Sequence, residues 1–261
     1  MMHQREGARL GMDYTYRLID FDQLGLGEAA LGEVIAEAEQ LGFSGLNITH
    51  PFKQSVVPFL TDLSPEASAI GAVNTVVFGA GRRTGHNTDS WGFGESFRRE
   101  MAGCSLAGVL QLGAGGAGAA VAHALLELGA ERLTLFDTAF ARADELAARL
   151  NVRFGGRVTA LMELNTAFAQ AAGVVNTTPV GMAKYPGLPF AGDLLSSRQW
   201  VAEIIYFPAE TELLKLARRL GCRTLSGLGM AVNQAVRAFE LFTGVQPDRA
   251  AMARYFAEGG L

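Results

Sequence analysis

Cysteine and lysine are both scarce in this 261-residue chain. Its two cysteines, Cys104 and Cys222, lie far apart and outside any Cys-x-x-Cys or Cys/His ligand spacing. That excludes a disulfide framework and a zinc site as organising devices, and is the usage expected of reduced thiols in a cytoplasmic protein with no bound metal. Positive charge is not in surplus. The 22 Lys and Arg face 26 Asp and Glu, for a net charge of −4, and no basic cluster supplies the footprint of a nucleic-acid binder. Long apolar runs are missing too. The Ala- and Leu-rich stretch after Gly118 is broken by His123 and Glu127, too early for a membrane span. The opening residues, with His3, Arg5, Glu6 and Arg9, lack the apolar segment of a secretory signal. With 49% hydrophobic and 18% charged residues, the composition is that of a globular protein, not a disordered one. The length suits one large or two modest domains.

Glycine, by contrast, is abundant, at 32 residues, and one group of glycines has an order to it. Val109-Leu110-Gln111-Leu112 has strand length and apolar character. It enters Gly113-Ala114-Gly115-Gly116-Ala117-Gly118, an Ala- and Leu-rich helical pattern runs to Gly129, and a second β-rich run ends on Asp137. This is the order of a βαβ dinucleotide-binding unit. Gly113 permits the tight turn, Gly115 lets a pyrophosphate approach the backbone, and Gly118 lets the helix pack close to the strand. The pyrophosphate would sit over the helix N-terminus. Asp137, 24 positions after Gly113 (137 − 113), can accept hydrogen bonds from a ribose and repels a 2′-phosphate. Thr138 follows it, and the nearest arginine is Arg142. NAD is therefore favoured over NADP.

Elsewhere, helices are expected at 3–11, 27–41, from Pro65, 90–101, 139–150, 164–171, 211–220 and 229–243, the last being the final substantial helix. Strands are expected at 14–19, 43–48, 73–78, near 158, at 173–176 and at 200–205. Gly79-Ala80-Gly81 should close a hairpin that ends near His86. The alternation before and after residue 100 implies two α/β units with largely parallel sheets. These would be an N-terminal substrate domain and a Rossmann-type dinucleotide-binding domain flanking a cleft.

Few side chains in the chain carry obvious chemistry. Lysine occurs only at 53, 184 and 215. Lys53 leaves a strand end through Thr49-His50-Pro51-Phe52, where open α/β folds place ligands, although a surface lysine is the commoner fate. A second polar cluster, Gly85-His86-Asn87-Thr88-Asp89, lies at a strand-to-helix junction. There Asp89, taken by itself, is more often a helix N-cap than a catalyst. Asn74 could pass for an edge-strand residue.

Taken together, seven ordered strings resemble the shikimate/quinate dehydrogenase family: Asn47–Lys53, Gly71–Thr75, Asn87–Asp89, the glycine loop, Asn176–Gly181, Tyr206–Pro208 and Gly229–Ala235. His50, Asp137 and Glu210–Leu214 look more like its NAD-dependent quinate/shikimate branch than its NADP-dependent biosynthetic one. The resemblance implies hydride transfer between the C3 hydroxyl of shikimate or quinate and NAD, giving the 3-dehydro ketone. It implies Lys53 and Asp89 as the catalytic pair, with Thr49, Asn74 and Gln234 on the ring hydroxyls and Tyr206 near the substrate carboxylate. Ala114, Gly116 and Ala117 would join the three glycines and Asp137 at the cofactor. Thr177, Val180, Met182, Gly227 and Met230 would line its ribose and nicotinamide side, together with Asn176. The domains implied are residues 1–100 plus 228–261 for substrate and 101–227 for cofactor, in a monomer or homodimer that acts in the cytoplasm on a small molecule.

The resemblance is incomplete in two places. Family members open with a strand and a Ser-x-Ser-Pro or Ser-x-Thr-Pro loop, whereas Met1-Met2-His3-Gln4 resembles the segment just after that loop. Two explanations compete, a start codon assigned too far downstream and a real truncation with impaired substrate binding, and the first is the expectation because everything after residue 3 looks intact. Glu203 also stands where family members commonly carry Asp. Two other readings compete: an NADP-dependent biosynthetic shikimate dehydrogenase, and an inactive nucleotide-binding regulatory paralogue. Retention of both Lys53 and Asp89 argues against the second.

Overall fold

The computed structural model describes residues 2–259. Residues up to Thr88 together with those from Val232 onward form one compact unit, and Asp89–Ala231 form the other.

The first unit begins with α1 (Met2–Arg9), α2 (Phe21–Leu24), α3 (Leu31–Gln40), β1 (Gly45–Asn47), β2 (Asp62–Leu63), α4 (Pro65–Ile70), β3 (Thr75–Gly79) and β4 (Arg82–His86). Its sheet has the order β1-β3-β4-β2. The expectation of a largely parallel sheet fails here, because β1–β3 and β3–β4 run antiparallel and only β2–β4 is parallel. The cause is local. Gly79 pairs with Arg82, so Ala80 and Gly81 alone make the turn, and both have positive φ (51° and 71°). A two-residue turn of that kind can join only antiparallel strands. α4 forms as its residues dictate: the Ser64 side chain accepts from the Ala67 amide, Pro65 opens the helix, and Gly71 ends it at φ 70°. Leu31 and Ile35 of α3 pack with Ala67, Val73 and Val76 in the core.

The segment 14–19 is a second correction, since it forms no strand. The alternation of Tyr14 and Tyr16 reflects side-chain contacts and not a backbone ladder. Tyr14 stacks on Phe239 at 5.2 Å, and the Tyr16 hydroxyl donates to Asn47 Oδ1 at 2.9 Å.

α5 (Thr88–Glu100) leads into the second unit, which contains β5 (Val109–Leu112), α6 (Gly116–Glu127), β6 (Leu133–Phe136), α7 (Phe140–Phe154), β7 (Val158–Leu161), α8 (Asn165–Gln170), β8 (Gly173–Asn176), β9 (Trp200–Glu203), α9 (Glu212–Arg219) and β10 (Thr224–Leu225). The six strands are all parallel in the order β10-β9-β8-β5-β6-β7. The chain turns outward in both directions from β5, so β5 and β8 flank a topological switch point, where doubly wound sheets bind ligands at their C-terminal ends. All four residues of β5, and all four of β8, are buried, as parallel strands covered on both faces must be.

α10 (Gly227–Thr243) and α11 (Arg249–Ala257) complete the fold. α11 was not expected after 243. Asp248 caps it by accepting from the Ala250 and Ala251 amides, and Met252 joins Met2, Val232, Val236 and Phe239 in a second core of the first unit. The expected domain limits at 100 and 228 differ from the division at 88 and 232. α5 goes with the second unit because Phe93 and Phe97 are buried and Phe97 meets Trp200 edge to face at 5.0 Å. Met1, Gly260 and Leu261, at the ends of the expected substrate domain, lie outside the described residues.

Candidate active site

The glycine loop joins β5 to α6. Gly113 has φ 97°, a conformation that L side chains rarely adopt. A Cβ on Gly118 would stand 2.4 Å from the Gly113 carbonyl oxygen, and one on Gly113 would stand 2.6 Å from Thr177 Oγ1. Thr177 closes this contact by donating to the Leu112 and Gly113 carbonyls at 2.7 and 2.9 Å. From below, Gln111 Nε2 donates to the Gly113 and Gly118 carbonyls, both at 2.9 Å. Gly115 differs from the others, since a Cβ there would meet nothing within 4 Å. The loop is therefore rigid on its sheet side and open at Gly115. Gly115, Gly116 and Ala117 are half-buried at the start of a 12-residue helix, whose free amides and dipole suit an anion. These features fit a dinucleotide pyrophosphate.

Asp137 follows β6. Its Oδ2 accepts from the Ala114 amide at 2.8 Å and its Oδ1 from the Ala139 amide at 2.9 Å. The carboxylate is thus held beside the glycine loop, while Thr138 and Arg142 are exposed.

The turn after β8 carries Thr177, Val180 and Met182. Asn176 organises it. Its Nδ2 donates to the Val180 carbonyl at 3.0 Å, and its Oδ1 accepts from the Thr178 amide and hydroxyl at 3.0 and 2.7 Å. Met182 is exposed and Met230 buried. Gly227 packs so closely that a Cβ would lie 2.3 Å from the Ile204 carbonyl oxygen. Glu203 ends β9 and is buried. Burial pushes its carboxyl up to about 7, against the pull of Asn176, the Ile204 and Ile205 amides and Thr211. Tyr206 lies three residues further on and is 40% exposed.

In the first unit, β3 begins just after Asn74 and β4 ends just before Asn87. Asn74, buried, accepts from the Thr88 amide at 2.8 Å, donates to Thr88 Oγ1 at 2.9 Å, and reaches Gln234 Oε1 on α10 at 3.5 Å. Thr88 Oγ1 also reaches Gln234 Oε1, at 3.5 Å. Two of the expected substrate-side residues, Asn74 and Gln234, therefore meet through Thr88, whose part the sequence did not reveal. Its only signal was its place in Asn87-Thr88-Asp89. Thr75, Asn47 and Tyr16 extend the chain of hydrogen bonds behind Asn74. Thr49 is exposed and Lys53 half-buried on the turn after β1, and the Lys53 carbonyl accepts from the Val73 amide at 2.7 Å. Asp89, buried in the first turn of α5, opens the second unit.

The chain is similar to known proteins along nearly its whole length. The family description "Shikimate dehydrogenase substrate binding domain" matches residues 1–76, and "Shikimate 5'-dehydrogenase C-terminal domain" matches 227–254. The chain is 54% identical over 260 residues to the shikimate dehydrogenase (NADP(+)) of Streptomyces avermitilis, covering 98% of this chain and 89% of the relative. It is 45% identical over 263 residues to the quinate/shikimate dehydrogenase (NAD(+)) of Corynebacterium glutamicum, covering 98% and 92%. Among solved structures, quinate dehydrogenase from Corynebacterium glutamicum in complex with NAD superposes with a TM-score of 0.90 at 44% identity, covering 98% of this chain and 93% of that one. Shikimate 5-dehydrogenase from Listeria monocytogenes in complex with shikimate and NAD gives 0.84 at 28% identity, covering 98% and 90%.

Proposed function

The chain belongs to the shikimate/quinate dehydrogenase family, and from that premise we propose that it oxidises the C3 hydroxyl of quinate or shikimate with NAD as the preferred acceptor. The class of reaction, hydride exchange between a ring hydroxyl and a nicotinamide dinucleotide, is that of the family. The preference for NAD rests on Asp137. Its carboxylate is fixed by the Ala114 amide at the end of β6, where it would accept from a ribose 2′-hydroxyl and repel a 2′-phosphate. Relatives of both cofactor names resemble this chain, and Asp137 is the residue that favours NAD.

When bound, the dinucleotide supplies the hydride acceptor. The remaining work falls to side chains of this chain. Lys53 and Asp89 act on the reacting hydroxyl, one taking its proton as hydride leaves the same carbon and the other orienting the pair. Asn74 and Gln234, already held together through Thr88, bind ring hydroxyls with their rotamers set in advance, which lowers the entropic cost of orientation. Thr49 adds a further hydroxyl contact and Tyr206 binds the carboxylate. Residues 1–100 with 228–261 mainly serve the substrate, and 101–227, Tyr206 apart, mainly serve the cofactor.

The test compares quinate and shikimate oxidation with NAD and with NADP, in wild type and in Asp137→Ala/Thr138→Arg. Wild type should favour NAD, and the double variant should gain on the order of tenfold or more in kcat/KM for NADP, from relief of repulsion and one new phosphate contact. An NADP preference in wild type that the variant leaves unchanged would overturn the assignment. Dinucleotide binding without turnover of either polyol would replace it with a regulatory role.

A further inference from the structure

We propose that Glu203 is a positioning residue for this reaction, anchoring the turn after β8 and the segment leading into Tyr206 to a single buried carboxylate. The inference rests on the reaction proposed above, in which that turn faces the nicotinamide side and Tyr206 the substrate carboxylate.

Three segments converge on the group. Asn176, at the end of β8, donates from Nδ2 to both carboxylate oxygens at 3.1 Å while also holding the Val180 carbonyl at 3.0 Å. The Ile205 amide, one residue before Tyr206, donates to Oε1 at 3.2 Å. Thr211, the N-cap of α9, donates to Oε2 at 3.1 Å and accepts from the Leu214 amide at 3.3 Å. The same segments lie close together at Gly181. A Cβ on Gly181 would lie 3.1 Å from Ile205 Cδ1 and 3.4 Å from Thr211 Cγ2. Residues 176–182 and 204–206 therefore share one support, and a displacement of either is felt by the other. A buried donor that loses its acceptor keeps the full cost of desolvation, so without Glu203 the Asn176 amide and the Ile205 N–H must move to find new partners. Asn176 cannot turn without releasing Val180 and Thr178. Loss of the carboxylate thus propagates to residues on both the cofactor and the substrate side.

Glu203→Gln keeps one acceptor at the Oε1 position, while Glu203→Leu removes every acceptor. Thr211→Val leaves the carboxylate in place and detaches only α9. Amide hydrogen exchange of residues 178–182 and 205 should rise about tenfold or more in Glu203→Leu and less in Glu203→Gln, with Thr211→Val leaving 178–182 near wild type. The calorimetric Kd for NAD and the KM for quinate should both rise about tenfold in Glu203→Leu, and within about threefold in Glu203→Gln. Should Glu203→Leu fail to fold, Glu203→Gln carries the comparison. Unchanged exchange and NAD affinity, with only the melting temperature lowered, would reduce Glu203 to a structural residue and overturn the inference. Wild type that binds NAD but oxidises neither polyol removes the proposed reaction instead. Exchange and affinity still report on the anchor in that case.

Discussion

Lys53 is one of only three lysines, and its main chain is fixed. The carbonyl accepts from the Val73 amide, so the turn that carries it is tied to the segment that leads through Asn74 into β3. Replacing the ammonium by an isosteric apolar group should leave that turn intact. Lys53→Met is therefore expected to lower kcat by roughly 10³-fold, within the usual range for a lost acid–base group. The Kd for NAD should stay within about threefold, since the pyrophosphate site proposed for it is the glycine loop. Stopped-flow oxidation of quinate and calorimetric NAD titration separate the two. Full activity in Lys53→Met would remove this residue from the mechanism. Thr88 makes a different point at the same scale: its hydroxyl bridges Asn74 and Gln234, which are 160 positions apart in sequence, and no spacing rule connects residues so far apart.

Among the elements, the β3–β4 hairpin is the clearest case of local chemistry setting topology. Its turn places Ala80 at φ 51°, a region that costs an alanine about 1 kcal/mol or more and that asparagine and glycine tolerate. Ala80→Asn would create the Asn-Gly pair such turns prefer, and a Cβ is already accommodated at this exposed site. The variant should be more stable by about 0.5–1 kcal/mol in urea unfolding, with the slope unchanged. A loss of stability would mean that the turn is not the element limiting this hairpin. The segment 14–19 shows where local pattern misled. Alternating tyrosines there satisfy side-chain partners at His3, Asn47 and Phe239, and period-two spacing reports facing directions, not a paired backbone.

For the molecule as a whole, two buried groups give opposite pH dependences. Burial lowers His3 to about 4, with the Ala235 carbonyl as its partner. That carbonyl only accepts, so Nε2 carries the proton and Nδ1 faces the Tyr14 hydroxyl. The neutral ring is favoured by folding, so this contribution is complete above the ordinary histidine value and is lost as pH falls from about 6.5 towards 4. Glu203 is raised to about 7, so folding favours its protonated form. Its contribution is complete below the ordinary glutamate value and is lost as pH rises from about 4.5 towards 7. Each amounts to about 2 kcal/mol between pH 5 and 7, with opposite sign. His3→Phe should therefore gain stability on going from pH 7 to 5, Glu203→Gln should lose it, and wild type should lie between. Denaturant titrations at the two pH values read this directly. Parallel curves for all three proteins would show that neither group titrates on unfolding.

The amino-acid sequence by itself determined whatever depends on neighbours along the chain. The glycine loop was legible because Gly113 takes a positive φ in the turn itself and Gly118 packs on the Gly113 carbonyl five residues back, and the α4 cap and the hairpin turn because their hydrogen bonds close over a few residues. The parallel order of β5, β6 and β8 followed from strand–helix alternation and the geometry of crossover connections. Only the tertiary structure decided the antiparallel pairing of β1 with β3, the meeting of Asn74, Thr88 and Gln234, and the convergence of Asn176, Ile205 and Thr211 on Glu203. Those partners are brought together by the packing of whole elements, and a residue carries no local mark of a contact made with a distant one.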